Sequence, residues 1–249
     1  MQIEPYLRRI QYDGPLSLDI ETLRALHRAH LFTVPFENLD IHLKRPIILD
    51  EQRLYDKIVN QGRGGFCYEQ NGLFAAILRQ IGFKVDKLEA RVGARGWEAG
   101  TPFDHMALVV TLDERWLADV GFGDSFIEPL RLDDPGAQTQ QNGTFQVVHD
   151  GIAGVQSRKT KAGDWHDEYL FQLEPHDLGD FEPGCDHNQY SPKSHFTQQR
   201  VCSLATPTGR ITLSDRRFIV TENGQRTEHD LDSEADFQRL LRDKFGIEL

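Results

Sequence analysis

The spacing of the apolar residues changes near residue 85, and this change most limits the folds open to the chain. Before it, apolar residues recur every three or four positions, as at Ile20, Leu23 and Leu26, which is the period of an amphipathic helix. After it, short apolar runs at Met106–Val110 and Trp116–Val120 are typical of β-strands. Helices followed by strands argue against a doubly wound α/β sheet, and we predict an α+β fold.

Three stretches follow from this pattern: helices over residues 1–84, a small antiparallel barrel or sheet over 85–190, and a mixed unit over 191–249. Capping residues set the expected helix ends. Ser17 or Asp19 is expected to cap the first helix, and Asp50 the second, which has Leu54, Ile58 and Val59 on one face. The third helix is expected to end at Gly82, and Ser233 is expected to cap the last. Hairpins are predicted at Asp150-Gly151 and Asn223-Gly224.

Composition excludes several classes of protein. The 249 residues include 39 acidic and 28 basic side chains, a net charge of −11, which disfavours binding to nucleic acid or to an anionic membrane. Three cysteines are too few for a disulfide framework. The longest apolar runs are too short to span a bilayer, and the N-terminus lacks the order of a signal peptide. We therefore expect a cytoplasmic protein.

Cys67 is the first candidate for chemistry, because it follows Gly64-Gly65 and opens the third predicted helix. The N-terminus of a helix favours an anion such as a thiolate, and adjacent glycines let the backbone approach a ligand closely. The alternative is that Cys67 is a small buried hydrophobic residue and that the glycines only form a turn.

His105 and Asp119 are brought together by a predicted hairpin. A turn centred near residue 112 or 113 places His105 opposite a residue between 119 and 121. Such a pair can be purely structural. With Cys67 it forms a candidate Cys-His-Asp triad, in which pairing with His105 is expected to lower the pKa of the thiol.

Four motifs resemble those of arylamine N-acetyltransferases: Arg63–Asn71 (Arg-Gly-Gly-Phe-Cys-Tyr-Glu-Gln-Asn), Val34–Leu39, Asp119–Gly123 and Ser191–Thr197. They occur in the family's order and cover most of the chain. The resemblance implies an N-terminal helical bundle, an antiparallel β-barrel and a C-terminal α/β lid, with a core like that of papain-like cysteine enzymes.

The resemblance also implies roles for single residues. Cys67 is the nucleophile, His105 the base and Asp119 the residue that orients it. Phe36, Phe122 and Phe196 match positions that line the substrate pocket. The alternative is that they are ordinary core residues, although the position of Phe122 between two glycines favours the pocket. Gly123 matches a position that borders coenzyme A.

The implied reaction moves acetyl from acetyl-CoA through Cys67 to an arylamine or arylhydrazine, with no metal. An ion pair between Arg63 and Glu37 is expected to brace the loop before Cys67. Candidates for binding the CoA phosphates are the basic residues Lys84, Lys87, Arg91, Arg95 and Lys193.

The sequence leaves two alternative functions open. One is a cysteine hydrolase, either a peptidase or a thioesterase, and the other is an amide synthase that closes a ring on a tethered polyketide.

Overall fold

The structure is a computed structural model that describes residues 1–93 and 101–249. Its helices, in chain order, are α1 (Ile3–Arg9), α2 (Ile20–Thr33), α3 (Leu39–His42), α4 (Glu51–Tyr55), α5 (Cys67–Ile81), α6 (Glu182–Tyr190) and α7 (Glu234–Phe245). A π-helical turn, Asp56–Asn60, continues α4, and 3₁₀ turns lie at Leu178–Phe181 and His195–Thr197. The predicted α+β fold is confirmed. None of the described helices is long and apolar enough to cross a membrane.

The predicted helix caps are observed. Asp19 and Asp50 each accept a hydrogen bond from a backbone N–H in the first turn of the helix that follows, which satisfies a donor that the helix cannot pair internally. Ser233 caps α7 in the same way, and Gly82 ends α5 in the left-handed conformation.

The second helix departs from its predicted face. The π-helical turn after Tyr55 widens the helix, so Lys57 is buried beside Ile58 while Val59 is only half-buried. A π turn shifts the side chains that follow it around the helix axis. The buried part of this helix therefore includes a cation, Lys57, that the apolar spacing did not predict.

The larger sheet is antiparallel and curls into a near-closed barrel. Among the described residues its order is β5-β4-β3-β2-β9-β8-β7-β6. Its strands are β2 (Lys84–Val92), β3 (His105–Thr111), β4 (Arg115–Ala118), β5 (Leu130–Arg131), β6 (Gln138–Gln140), β7 (Gly143–His149), β8 (Ala153–Lys159) and β9 (Trp165–His176). The hairpin at Asp150-Gly151 joins β7 to β8 as predicted.

The smaller sheet has the order β1-β10-β11-β12-β13. Its strands are β1 (Phe36–Glu37), β10 (Val201–Thr206), β11 (Gly209–Ser214), β12 (Arg217–Glu222) and β13 (Gln225–Asp230). Because β1 belongs to the N-terminal helical region, its pairing with β10 connects that region to the C-terminal strands. The three-domain division stays a prediction.

Helix α5 is the centre of the fold. Its side chains at Leu73, Phe74, Ile77 and Leu78 are fully buried and belong to a cluster that includes residues of β2 and β3. Each such side chain stabilises the fold by about 1.5–3 kcal/mol relative to exposure. The start of α5, where Cys67 lies, is therefore fixed against the first strands of the barrel.

Candidate active site

Cys67 is the first residue of α5 and is only 4 % exposed. The carboxylate of Glu69 accepts a hydrogen bond from the Phe66 N–H at 3.1 Å and so caps the helix just before the thiol. A Cβ on Gly64 would lie 1.9 Å from the Pro35 carbonyl oxygen. Glycine is therefore required at position 64 so that this loop can pack against the backbone at Pro35, whereas the sequence suggested a close approach to a ligand.

His105 and Asp119 form the predicted pair. The hairpin of β3 and β4 pairs Leu108 with Ala118 and Thr111 with Arg115, and the same register carries His105 past the end of β4. Its Nε2 lies 2.7 Å from Asp119 Oδ2. Because Asp119 occupies Nε2, Nδ1 is the nitrogen available to exchange a proton with another group.

Asn71 joins this pair to the helix that carries the cysteine. Its Nδ2 donates to Asp119 Oδ1 at 2.8 Å and to the Met106 carbonyl at 2.6 Å, and its Oδ1 accepts from the Val120 N–H at 2.9 Å. Gly121, the residue after Val120, lies against Cys67: a Cβ there would be 2.7 Å from Cys67 Cα. These contacts hold the Asp119 segment directly against the start of α5.

The charges at the site follow from burial and from these bonds. Burial alone would raise the pKa of Asp119, but His105, Asn71 and the Gly121 N–H together hold it below its ordinary value. Burial raises the pKa of the Cys67 thiol, Asp104 and Asp119 raise it further, and the Tyr68 N–H acts against them. The surroundings of the sulfur therefore favour the thiol, and a thiolate requires that another group take its proton.

A buried cluster of charges supports the loop before Cys67. The predicted pair is confirmed, since Arg63 Nη2 lies 2.8 Å from Glu37 Oε1, and Asp40 accepts from the same nitrogen at 3.0 Å. Lys57 Nζ lies 2.8 Å from both Asp40 Oδ2 and Glu69 Oε1. Burial raises the pKa of Glu69 to about 7 although Lys57 opposes this. Sequence reasoning missed Lys57 and Asp40.

Two buried histidines of α2, His27 and His30, contact the Asp119 segment and helix α5 respectively. His27 accepts from the Asp119 N–H at 3.0 Å through Nε2, and its Nδ1 lies 2.7 Å from the Ile127 carbonyl. His30 Nε2 bonds Gln70 Oε1 at 3.1 Å. Burial lowers the pKa of His27 to about 4 and that of His30 to about 3, so both rings are neutral near pH 7. His27 and His30 follow Leu23 and Leu26 at helical spacing, and this spacing was the sequence signal that they face the core.

The predicted pocket aromatics divide between two positions. The rings of Phe36 and Phe196 lie 6.0 Å apart, and the Cβ position of Gly123 is 3.6 Å from the Phe36 ring. The Phe122 ring instead packs edge-on against His105 at 5.4 Å. Half-buried aromatic rings therefore lie next to His105 and beside Gly123.

A cleft of ≈ 690 Å³ opens beside this segment, where Asp124, the residue after Gly123, forms part of its wall. Thr206–Arg210 of the smaller sheet also line it. Four cationic side chains line it, Arg28, Arg158, Lys161 and Arg210, together with the acidic Asp124 and Glu128. Arg28 pairs with Glu128 at 2.8 Å, and Arg158 and Arg210 lie 3.3 Å and 3.4 Å from Asp124.

Of the five basic residues suggested by the sequence, the four that the structure describes do not line this cleft. Lys87 is 3 % exposed, and Arg91 pairs with Glu89 at 2.9 Å. Lys84 and Lys193 are exposed. Arg95 is outside the described residues. In the part of the chain that the structure covers, no group of His, Cys, Asp and Glu side chains could hold a metal ion.

Comparison with known proteins defines the class. A family model described as N-acetyltransferase matches residues 19–249. The arylamine N-acetyltransferase of Escherichia coli is 36 % identical over 97 % of this chain and 87 % of its own. The structure of the Mycobacterium marinum arylamine N-acetyltransferase in complex with CoA superposes with a TM-score of 0.90 at 30 % identity, covering 99 % of this chain and 93 % of that one.

A further relative, the proansamycin X synthase of Amycolatopsis mediterranei, is 30 % identical over 96 % of this chain and 95 % of its own. The chain belongs to the arylamine N-acetyltransferase family, and the predicted family is thereby confirmed. It is an enzyme of the N-acetyltransferase type.

Proposed function

We propose that this enzyme transfers acetyl from acetyl-CoA to an arylamine or arylhydrazine through an acetyl group on Cys67. The observation that carries the proposal is the 2.7 Å bond between Asp119 and His105, in a segment packed against the Cys67 backbone. This arrangement supplies a nucleophile, a base and a group that orients the base.

In the first half-reaction, the Cys67 proton passes to Nδ1 of His105, and the sulfur attacks the thioester carbonyl. The C–S bond to CoA breaks, and the leaving thiolate takes the proton back from His105. Because burial disfavours a lone thiolate at Cys67, Asp119 has an energetic role: its charge stabilises the imidazolium that accompanies the thiolate.

In the second half-reaction, a neutral arylamine attacks acetyl-Cys67. His105 takes a proton from the amine as the tetrahedral intermediate forms, and Cys67 leaves as the thiolate and recovers that proton. General base assistance of this kind contributes roughly 10²–10⁴-fold. The rings of Phe36, Phe122 and Phe196 are suited to pack against a flat aromatic acceptor, and their position supports that choice of substrate.

The cleft beside Gly123 is our proposed path for coenzyme A. Its four cationic side chains outnumber its two acidic ones, Asp124 and Glu128, which suits the CoA phosphates, and Asp124 is five residues from Asp119. The M. marinum relative was crystallised with CoA. Arg210→Gln should raise the KM for acetyl-CoA more than the KM for the amine, and equal changes in both constants would contradict this path.

Amide synthesis is the second candidate, because the proansamycin X synthase matches nearly the whole chain. That chemistry would use the same acyl-cysteine, with an amine on the acyl chain as acceptor. An acceptor and donor panel separates the two functions: the proposed enzyme acetylates simple arylamines, whereas an amide synthase leaves them unchanged.

Intact-mass measurement after mixing with acetyl-CoA tests the acyl-enzyme. We expect one added acetyl group, lost when an arylamine is supplied and absent in Cys67→Ala. Cys202→Ala is the matched control, since this thiol is also buried and should leave acetylation intact. Acetate release without an amine would identify a hydrolase, and acetylation that persists in Cys67→Ala would exclude Cys67 as the nucleophile.

A further inference from the structure

Tyr68, the residue after the proposed nucleophile, has a fully buried side chain. Its hydroxyl lies 2.7 Å from the carbonyl oxygen of Phe103 and 3.0 Å from that of Asp104. It accepts a hydrogen bond from Asn188 Nδ2 at 3.1 Å. One hydroxyl group thus connects α5 to the two residues that precede His105 and to α6.

Asn71 makes the corresponding contact on the other side of His105. Tyr68 and Asn71 are three residues apart, so they share a face of α5. Tyr68 binds the carbonyl of Asp104, and Asn71 binds that of Met106 at 2.6 Å. The backbone on both sides of His105 is therefore bonded to the helix that begins with Cys67.

The backbone at Phe103 explains why a bond is needed there. Phe103 has φ = 55°, a left-handed conformation that is unfavourable for a residue with a side chain and raises the energy by roughly 1–3 kcal/mol. This residue turns the chain into β3 immediately before His105. The Tyr68 hydroxyl binds its carbonyl, and Glu89 Oε1 binds its N–H at 3.1 Å. Without the hydroxyl, part of the restraint on this turn is lost.

We propose that Tyr68 is a positioning residue for the reaction: its hydroxyl sets the distance between His105 and Cys67. The inference rests on the proposed roles of these two residues. A misplacement of about 1 Å between reacting groups can slow a reaction by about 100-fold. The thiol is also sensitive to this distance, because it depends on His105 to take its proton.

The test compares Tyr68→Phe with Tyr55→Phe. Tyr55 is also buried, and its hydroxyl donates to a backbone carbonyl, that of Gln2, at 3.0 Å. Tyr55→Phe loses one bond, whereas Tyr68→Phe loses the contacts to two carbonyls and to Asn188. We therefore expect a small decrease in melting temperature for Tyr55→Phe and a larger one for Tyr68→Phe. Single-turnover acetylation of Cys67 and its alkylation by iodoacetamide are then measured from pH 5 to pH 10, with the modified peptide identified by mass.

Tyr68→Phe should slow acetylation at pH 7 by about 10- to 100-fold and move the midpoint of alkylation to higher pH, while Tyr55→Phe keeps the wild-type profile. Asn188→Ala removes the amide that donates to both Tyr68 and Asp104, and it should move the midpoint in the same direction by less. Identical profiles for the two tyrosine variants and the wild type would overturn the inference. If wild-type Cys67 takes up no acetyl group, the proposed function itself fails. If the wild type is acetylated and Tyr68→Phe behaves like it, only the role of Tyr68 fails.

Discussion

Replacing Gly121 with alanine tests whether the segment after Asp119 must lie directly against the nucleophile. The new methyl group would be 2.7 Å from Cys67 Cα, 2.8 Å from the Cys67 carbonyl oxygen and 2.8 Å from Asn71 Nδ2. Two of these three atoms are backbone, and the third is held by its bonds to Asp119 and Met106. No flexible side chain can move aside to make room.

The displacement can be worked out from these distances. Ordinary contact to a Cβ begins at 3.4 Å, so one of the two backbones has to retreat by about 0.7 Å, close to the shift of about 1 Å that can slow catalysis 100-fold. We expect acetyl transfer by Gly121→Ala to fall by roughly 30- to 100-fold. Overpacking of this kind also lowers the free energy of unfolding by about 1–3 kcal/mol.

The assay is the rate of arylamine acetylation, measured alongside urea unfolding. Gly179→Ala is the matched control, because its methyl group would meet no atom within 4 Å, and it should leave both quantities nearly unchanged. If folded Gly121→Ala acetylates arylamines at the wild-type rate, the reasoning from this contact is refuted.

Three further predictions concern the buried polar groups. Asp119→Asn should reduce transfer by about 10³–10⁴-fold, measured as single-turnover acetylation of Cys67; a fully active variant would remove Asp119 from the mechanism. Lys57→Met leaves Asp40 and Glu69 without their shared cation and should lower the free energy of unfolding by about 3–5 kcal/mol, whereas exposed Lys244→Met should not; equal urea midpoints would contradict this. His27 and His30 stay neutral in the folded protein while the unfolded chain takes up protons below about pH 6.5, so stability should fall as the pH drops from 6.5 towards 4. Imidazole NMR titrations with midpoints near 6.5 would disprove this.

The sequence predicted those parts of the site that depend only on residues close together in the chain. The contact between His105 and Asp119 follows from the length of a single hairpin, and the start of α5 follows from a loop and an apolar helix face. The pairing of β1 with β10 was not predicted, because a two-residue strand has no period to detect. Helix α6 was also missed, since it contains Gly184 and few apolar residues.

The charge cluster shows a different limit. Glu37, Asp40, Lys57, Arg63 and Glu69 come from separate segments, and a charged residue in a sequence is most often exposed. Only the resemblance favoured the pair of Arg63 and Glu37. Burial of Lys57 depends on a π-helical turn that widens the helix after Tyr55, and the sequence carried no sign of it.

The protonation state of Cys67 is the point at which pattern and structure differ most. A helix N-terminus predicts a stabilised thiolate, but burial and two carboxylates oppose it, so the helix alone does not activate the sulfur. In the proposed mechanism the reactivity comes from proton transfer to His105, which depends on distance far more steeply than a helix dipole does. Asn71 and Tyr68 bind the backbone on either side of His105, so we expect both to affect the chemistry without binding substrate. Catalytic activity should therefore depend on the hydrogen bonds between α5 and the backbone around His105.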